Sequence, residues 1–175
     1  MSKVVILYQS KYGSTKKYAE WLAEELAGDL LETKKATAEQ ISQYDVVILG
    51  GGIYASGIAG ISFLKKHFEK IKDKKIIVFA VGASPYDEKA MAALRKRNLG
   101  MFPQITCFYC RGAWNEEIMS WTDRTLCNML KKLVKKKDPS SYEPWEAALM
   151  EAIGSNHDWT DKANIQQIVE YVREG

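Results

Sequence analysis

Four apolar runs limit the fold more than any other feature of this chain. They cover residues 4–8, 46–49, 76–81 and 105–110, and show little of the polar alternation of a strand with one wet face. A run of that kind suits a strand buried on both sides. Each leads within a few residues to a glycine: Gly13, Gly50, Gly82 and Gly112. Segments of helical spacing separate them. Tyr18, Leu22 and Leu26 share one stripe of a helix expected over residues 15–27, with Gly28 beyond its end. Phe63, Leu64, Phe68 and Ile71 mark a second over 61–71, and an Ala-rich charged stretch a third over 86–97. Residues 30–36 read as a further, partly polar strand. Thr37 and Gln40 have the spacing of a capping box opening a short helix. Strands joined by helical crossovers lie parallel, with helices on both faces of the sheet. The expected class is therefore α/β, a three-layer sandwich around five parallel strands in the order 2-1-3-4-5.

The pattern changes after the fifth strand. Residues 116–137 form a long amphipathic segment carrying Ile118, Met119, Leu126, Met129, Leu130 and Leu133, stopped by Asp138-Pro139. A second helix is expected over 144–153. A last helix, starting near Asp158 or Thr160, presents Ile165, Ile168, Val169 and Val172. The 175 residues fit one domain, with 116–157 as a helical insertion packed on its core.

Hydrophobic residues make up 46% of the chain and charged residues 27%, which excludes a disordered class. Three cysteines are too few and too odd for a secreted disulfide framework. Met1-Ser2-Lys3 lacks the layout of a signal peptide, and no apolar run is long enough to span a bilayer. A cytoplasmic protein is expected. The formal net charge of +3 is concentrated, since residues 131–137 hold five lysines. That run reads either as a solvated helix face or as a patch for an anionic partner, a membrane surface or an acidic protein. No nucleic-acid motif accompanies it.

Ligands of open parallel sheets bind beyond the carboxyl ends of the strands, and the informative residues of this chain stand there. The first loop is Gln9-Ser10-Lys11-Tyr12-Gly13-Ser14-Thr15. Hydroxyls of Ser10, Ser14 and Thr15, with N–H groups at a helix N-terminus, can converge on one phosphate. Gly13 allows close backbone approach. An ordinary capped turn is the plainer alternative. Gly50-x-Gly52-x-x-Ala55 matches a loose dinucleotide fingerprint, but it follows the third strand, not the first. Ser84 and Pro85 suit the cap and first position of the following helix. Cys107 and Cys110 sit an odd number of positions apart in a strand, so they face opposite ways and read as buried small hydrophobes. His67 and His157 lack ligand spacing, and no metal site is expected.

The first loop resembles the flavodoxin phosphate loop, a hydroxyl-rich pattern, and the resemblance runs over residues 3–114 and the last helix. It implies a flavodoxin-like fold and FMN as cofactor. It places the phosphate on Ser10, Lys11, Tyr12, Gly13, Ser14 and Thr15, and the isoalloxazine against Gly52, Ile53, Tyr54 and Ala55, with Tyr54 or Ile53 stacked on the ring. Gly82, Ala83 and Ser84 would border its pyrimidine edge, with Tyr86 over the outer face. Trp114 would either wall the site or fill a groove beneath the insertion.

The slightly basic charge and the insertion depart from simple electron-carrying flavodoxins. With Phe63-Leu64-Lys65-Lys66-His67, Arg111-Gly112-Ala113 and Asp158-Trp159-Thr160-Asp161, they resemble the quinone-linked protoporphyrinogen oxidases of flavodoxin fold. That likeness implies an FMN-dependent oxidoreductase passing electrons from a porphyrinogen-like substrate to a quinone, with its basic helix on a membrane surface. FMN carries the chemistry, so no catalytic side chain is assigned. The alternative is a small electron-transfer carrier working between redox partner proteins.

Overall fold

A computed structural model describes all residues from Met1 to Gly175. Five strands form the parallel sheet: β1 (Val4–Gln9), β2 (Asp29–Glu32), β3 (Val46–Tyr54), β5 (Lys75–Gly82) and β6 (Thr106–Arg111). Their order is β2-β1-β3-β5-β6, the expected 2-1-3-4-5 arrangement. The short β4 (Gly57–Ile58) folds back antiparallel on the end of β3. Successive residues feed opposite layers. Val5 and Leu7 join Val47, Leu49, Val78 and Ala80 on one face; Ile6 and Tyr8 join Ile48, Ile77 and Phe79 on the other. This two-sided demand is why the strand sequences are unbroken apolar runs.

Helices α2 (Ala38–Ile41), α3 (Ile61–Ile71) and α4 (Glu88–Leu99) supply Ile41, Phe63, Leu64, Met91 and Leu94 to the first layer. Helices α1 (Ser14–Leu26) and α7 (Gln166–Arg173) supply Tyr18, Leu22, Ile168 and Val169 to the second. Each such side chain, fully buried, contributes about 1.5–3 kcal/mol. The Thr37–Gln40 capping box forms on both sides.

Several boundaries differ from expectation. The second strand ends at Glu32 and gives way to a 3-10 turn over Thr33–Lys35, because this sheet edge pairs with β1 alone. The third strand does not stop at its glycines but runs through them to Tyr54. A Cβ on Gly50 would lie 2.0 Å from the Phe79 ring, and one on Gly51 1.9 Å from the Ala59 carbonyl oxygen. These glycines thin the strand where neighbours press on it. The fourth helix begins at Glu88, not beside Ser84, because Asp87 accepts the Ala90 N–H at 2.7 Å and caps it. His157–Asp158 forms β8, antiparallel to β7 (Ala113–Trp114), and Asp161 then caps a 3-10 turn leading into α7.

The inserted segment condenses into α5 (Trp121–Val134) and α6 (Pro144–Ala152), which pack on each other. Only Val134 of α5 is buried. The helix arches over the carboxyl ends of the strands. No helix is long and apolar enough to cross a membrane.

Candidate cofactor site

The turn after β1 is built to leave a helix end open. Gly13 adopts φ +103°, a left-handed conformation that favours glycine, and its N–H donates to Ser10 Oγ at 3.0 Å. Gly13 is the N-cap of α1, so no side chain caps this helix, and its first turn has no acidic residue. Asp87, Ser120 and Thr37 cap α4, α5 and α2 with their own oxygens. At α1 the first-turn amides and the positive end of the dipole are left for an anion, with the Ser14 and Thr15 hydroxyls beside them.

The end of β3 forms a tight hairpin. Ile53 pairs with Ile58 and Tyr54 with Gly57, leaving Ala55-Ser56 as a two-residue turn. Both turn residues have positive φ, 47° and 64°. Such a turn suits the strand twist but usually takes Asn or Gly. A buried side chain holds it: Asn98 Nδ2 donates to the Ser56 carbonyl at 2.9 Å, and its Oδ1 accepts the Ile58 N–H at 3.0 Å.

The loop after β5 is fixed by β6. The Tyr109 hydroxyl donates to the Ser84 carbonyl, and Arg111 Nε donates to the Ala83 carbonyl at 2.9 Å. Arg111 also stacks on Trp159, 4.0 Å from the ring centroid. Gly112 N–H donates to the Gly82 carbonyl at 2.7 Å. A Cβ on Gly112 would lie 2.9 Å from Val81 Cγ1 and 3.4 Å from Ser14 Cβ, so glycine lets three loops close together.

The insertion is tied to the first loop. The Tyr12 hydroxyl donates to Asp123 of α5 and accepts the Ser120 N–H at 3.1 Å. Lys11 forms an ion pair with the same carboxylate. Hydrogen bonds from Lys11 and then Tyr12 hold Asp123 below the usual carboxylate range.

These elements enclose a cavity of about 380 Å³. Of the residues expected from sequence, it gathers Ser10, Tyr12, Ser14, Thr15, Gly52, Ile53, Tyr54, Ala55, Gly82, Ala83, Ser84 and Trp114. Trp114 thus stands in the wall. Lys11 and Gly13 face an adjoining polar hollow of about 280 Å³ with Glu32, Thr33 and Lys34. Tyr86 is outside the lining and 65% exposed. Sequence reasoning assigned to the site none of the residues of the opposite wall, in which Met119, Leu126, Leu130, Trp145 and Leu149 supply apolar surface and Asp123 and Cys127 the polar groups. The apolar spacing of 116–137 was its signal, but periodicity does not say what a face covers. Asn98 gave no local signal at all.

The residues present fit FMN. An uncapped helix end with neighbouring hydroxyls suits a phosphomonoester, while Tyr54 and Trp114 offer flat, polarizable surface and Ile53 apolar surface to an aromatic ring. The family model for the flavodoxin domain matches residues 5–141 of the chain. The chain belongs to the flavodoxin-domain family.

Solved structures agree on the fold of this flavodoxin-domain protein. A flavodoxin from Megasphaera elsdenii, in its two-electron reduced form, superposes with TM-score 0.50 at 19% identity, over 61% of this chain and 84% of that one. A flavodoxin, WrbA-like protein from Agrobacterium tumefaciens gives TM-score 0.50 at 20% identity, over 70% and 88%. No curated protein matches the sequence. FMN is the cofactor that the family and the site together indicate.

Proposed function

We propose that this flavodoxin-domain protein is an FMN-dependent oxidoreductase that dehydrogenates a flat, apolar, porphyrinogen-like substrate and passes the electrons to a quinone. The observation that carries this reading is the apolar wall opposite the flavin loops. An electron carrier needs only a flavin edge at its surface. Met119, Leu126, Leu130, Trp145 and Leu149 instead provide a second face against which a flat molecule can lie.

Bound FMN supplies the two-electron acceptor, and the protein supplies binding and access. The α1 N-terminus, Ser14 and Thr15 hold the phosphate. Ile53, Tyr54 and Trp114 orient the ring system, while α5 and α6 exclude water from the substrate side. Asp123 is kept ionised by Lys11 and Tyr12, so it is a structural anion and not a proton donor. Burial raises the Cys127 thiol, which therefore stays protonated. FMN-loaded protein is expected to convert protoporphyrinogen to fluorescent porphyrin only when menadione is added under anaerobic conditions. No porphyrin from protein with a full flavin spectrum overturns the reading and leaves the small electron carrier.

A further inference from the structure

Asp123 is the only charged side chain that lines the cavity, and it stands in the mostly apolar wall with Met119, Leu126 and Leu130. Its two oxygens are used unequally. Lys11 Nζ and the Tyr12 hydroxyl both donate to Oδ2. Oδ1 takes no hydrogen bond from the chain, and the side chain is only 26% exposed. The cause lies in the start of α5. In a capping box the side chain three residues after the cap reaches back to the cap N–H. Asp123 holds that position after Ser120, but the Tyr12 hydroxyl already accepts the Ser120 N–H at 3.1 Å. The usual partner of this carboxylate is therefore taken. Lys11, Tyr12 and, most weakly, the Ser120 hydroxyl keep it ionised, so it accepts a hydrogen bond without taking the proton.

We infer that Asp123 selects the substrate by accepting a pyrrole N–H on Oδ1. An anionic oxygen stripped of water by a ligand that brings no donor is costly, so such a ligand is rejected. A ligand with an N–H at that place offsets the loss with a charge-assisted bond. The inference rests on the porphyrinogen-like substrate proposed above, and a porphyrinogen has the right groups. Each pyrrole is flat, but the tetrahedral carbons between the rings let the N–H edges tilt out of the mean plane towards a carboxylate. The carbon edges meet Met119, Leu126 and Leu130. A quinone carries acceptors only, and its carbonyl oxygens are repelled by Asp123. The same carboxylate thus separates the molecule to be oxidised from the electron acceptor.

The test is a titration of the FMN-loaded protein with two probes, read from the flavin absorption spectrum. Dimethyldipyrromethane and its difuryl counterpart share one skeleton and differ only in N–H against ring oxygen. Their quaternary bridge carbon cannot be dehydrogenated, so binding is read without turnover. The dipyrrole is expected to bind about tenfold or more tighter than the difuryl compound, the worth of a hydrogen bond to a charged group. Asp123→Ala should abolish that preference without weakening the difuryl compound. Tyr12→Phe loosens the same tie between α5 and the first loop but leaves the carboxylate, so the preference should persist. Equal binding of the two probes by the unaltered protein overturns the inference, as does a preference that survives Asp123→Ala. A preference lost as fully in Tyr12→Phe as in Asp123→Ala also overturns it, because the effect then belongs to the tie and not to Oδ1. A pyrrole preference without porphyrin formation upholds the role of Asp123 and defeats the proposed activity; porphyrin formation without the preference does the opposite.

Discussion

Asp123 on the inserted helix α5 accepts a hydrogen bond from the Tyr12 hydroxyl, joining the roof of the cavity to the loop that seats the phosphate. Lys11 completes the clasp from the same loop. Asp123→Asn keeps the shape but removes the charge. It is expected to raise hydrogen exchange across residues 118–134 severalfold while exchange in β3 and β5 stays unchanged. The clasp also has a pH signature. The Asp123 carboxyl is held low, so its contribution is present above the normal carboxylate range and lost as pH falls through its folded value. Lys11 is held high by Asp123, so its side of the pair is lost only as pH rises through a value above the normal lysine range. Exchange in α5 should therefore be flat across neutral pH and rise in acid. An acid-side rise of the same size in the Asp123→Asn protein would refute this.

Asn98 predicts the behaviour of the flavin-facing hairpin. Its amide makes both bonds that restrain the Ala55-Ser56 turn, and it is buried, so Asn98→Leu leaves the Ile58 N–H and the Ser56 carbonyl without these partners. The loss is about 1–3 kcal/mol. Ser56→Gly in the wild-type background relieves a left-handed residue and should stabilise by about 1 kcal/mol. Urea unfolding of the apoprotein measures both, and FMN affinity should fall with Asn98→Leu. An Asn98→Leu protein with unchanged stability and affinity would remove Asn98 from the site.

Legibility from sequence followed the range of the forces involved. The apolar runs announced β1, β3, β5 and β6 because burial on both faces acts at every position of a strand. The first loop was legible because Gly13, Ser14 and Thr15 are adjacent in the chain. Gly50 and Gly51 misled, since a glycine that ends a strand and one that makes room for Phe79 or Ala59 look alike without the neighbour. Asp87 outcompeted Ser84 for the cap of α4, a difference of geometry that composition does not carry. The Tyr12–Asp123 clasp joins residues more than a hundred positions apart, and nothing local records such a pairing.

The phosphate seat makes a prediction with an internal control. If the α1 amides, Ser14 and Thr15 grip a phosphomonoester, Thr15→Val and Ser14→Ala should each weaken FMN binding about tenfold or more, the worth of a hydrogen bond to a charged group. Riboflavin has the same ring and no phosphate, so its affinity should stay within about twofold, well under the 1 kcal/mol that a neutral hydrogen bond is worth. Quenching of flavin fluorescence on titration reads both. Equal losses for the two ligands would mean that the substitutions damage the pocket and not a phosphate contact.

The cysteines test the sheet from within. Cys107 packs in the layer with α3 and α4, and Cys110 in the layer with α1 and α7, so the sheet itself stands between them. Burial pushes both thiols up to about 12. At pH 8 roughly one molecule in ten thousand carries either thiolate, and neither sulfur is open to solvent. Cys127 differs: it is half-buried and lines the cavity, although burial raises its thiol too. A thiol reagent in excess should label one cysteine of three in the folded apoprotein, slowly, and all three in urea. Bound FMN should slow the single reaction further by filling the space in front of Cys127. A diamide-induced Cys107–Cys110 disulfide in protein that stays folded would contradict the two-sided sheet, and FMN-independent labelling of Cys127 would remove it from the cavity wall.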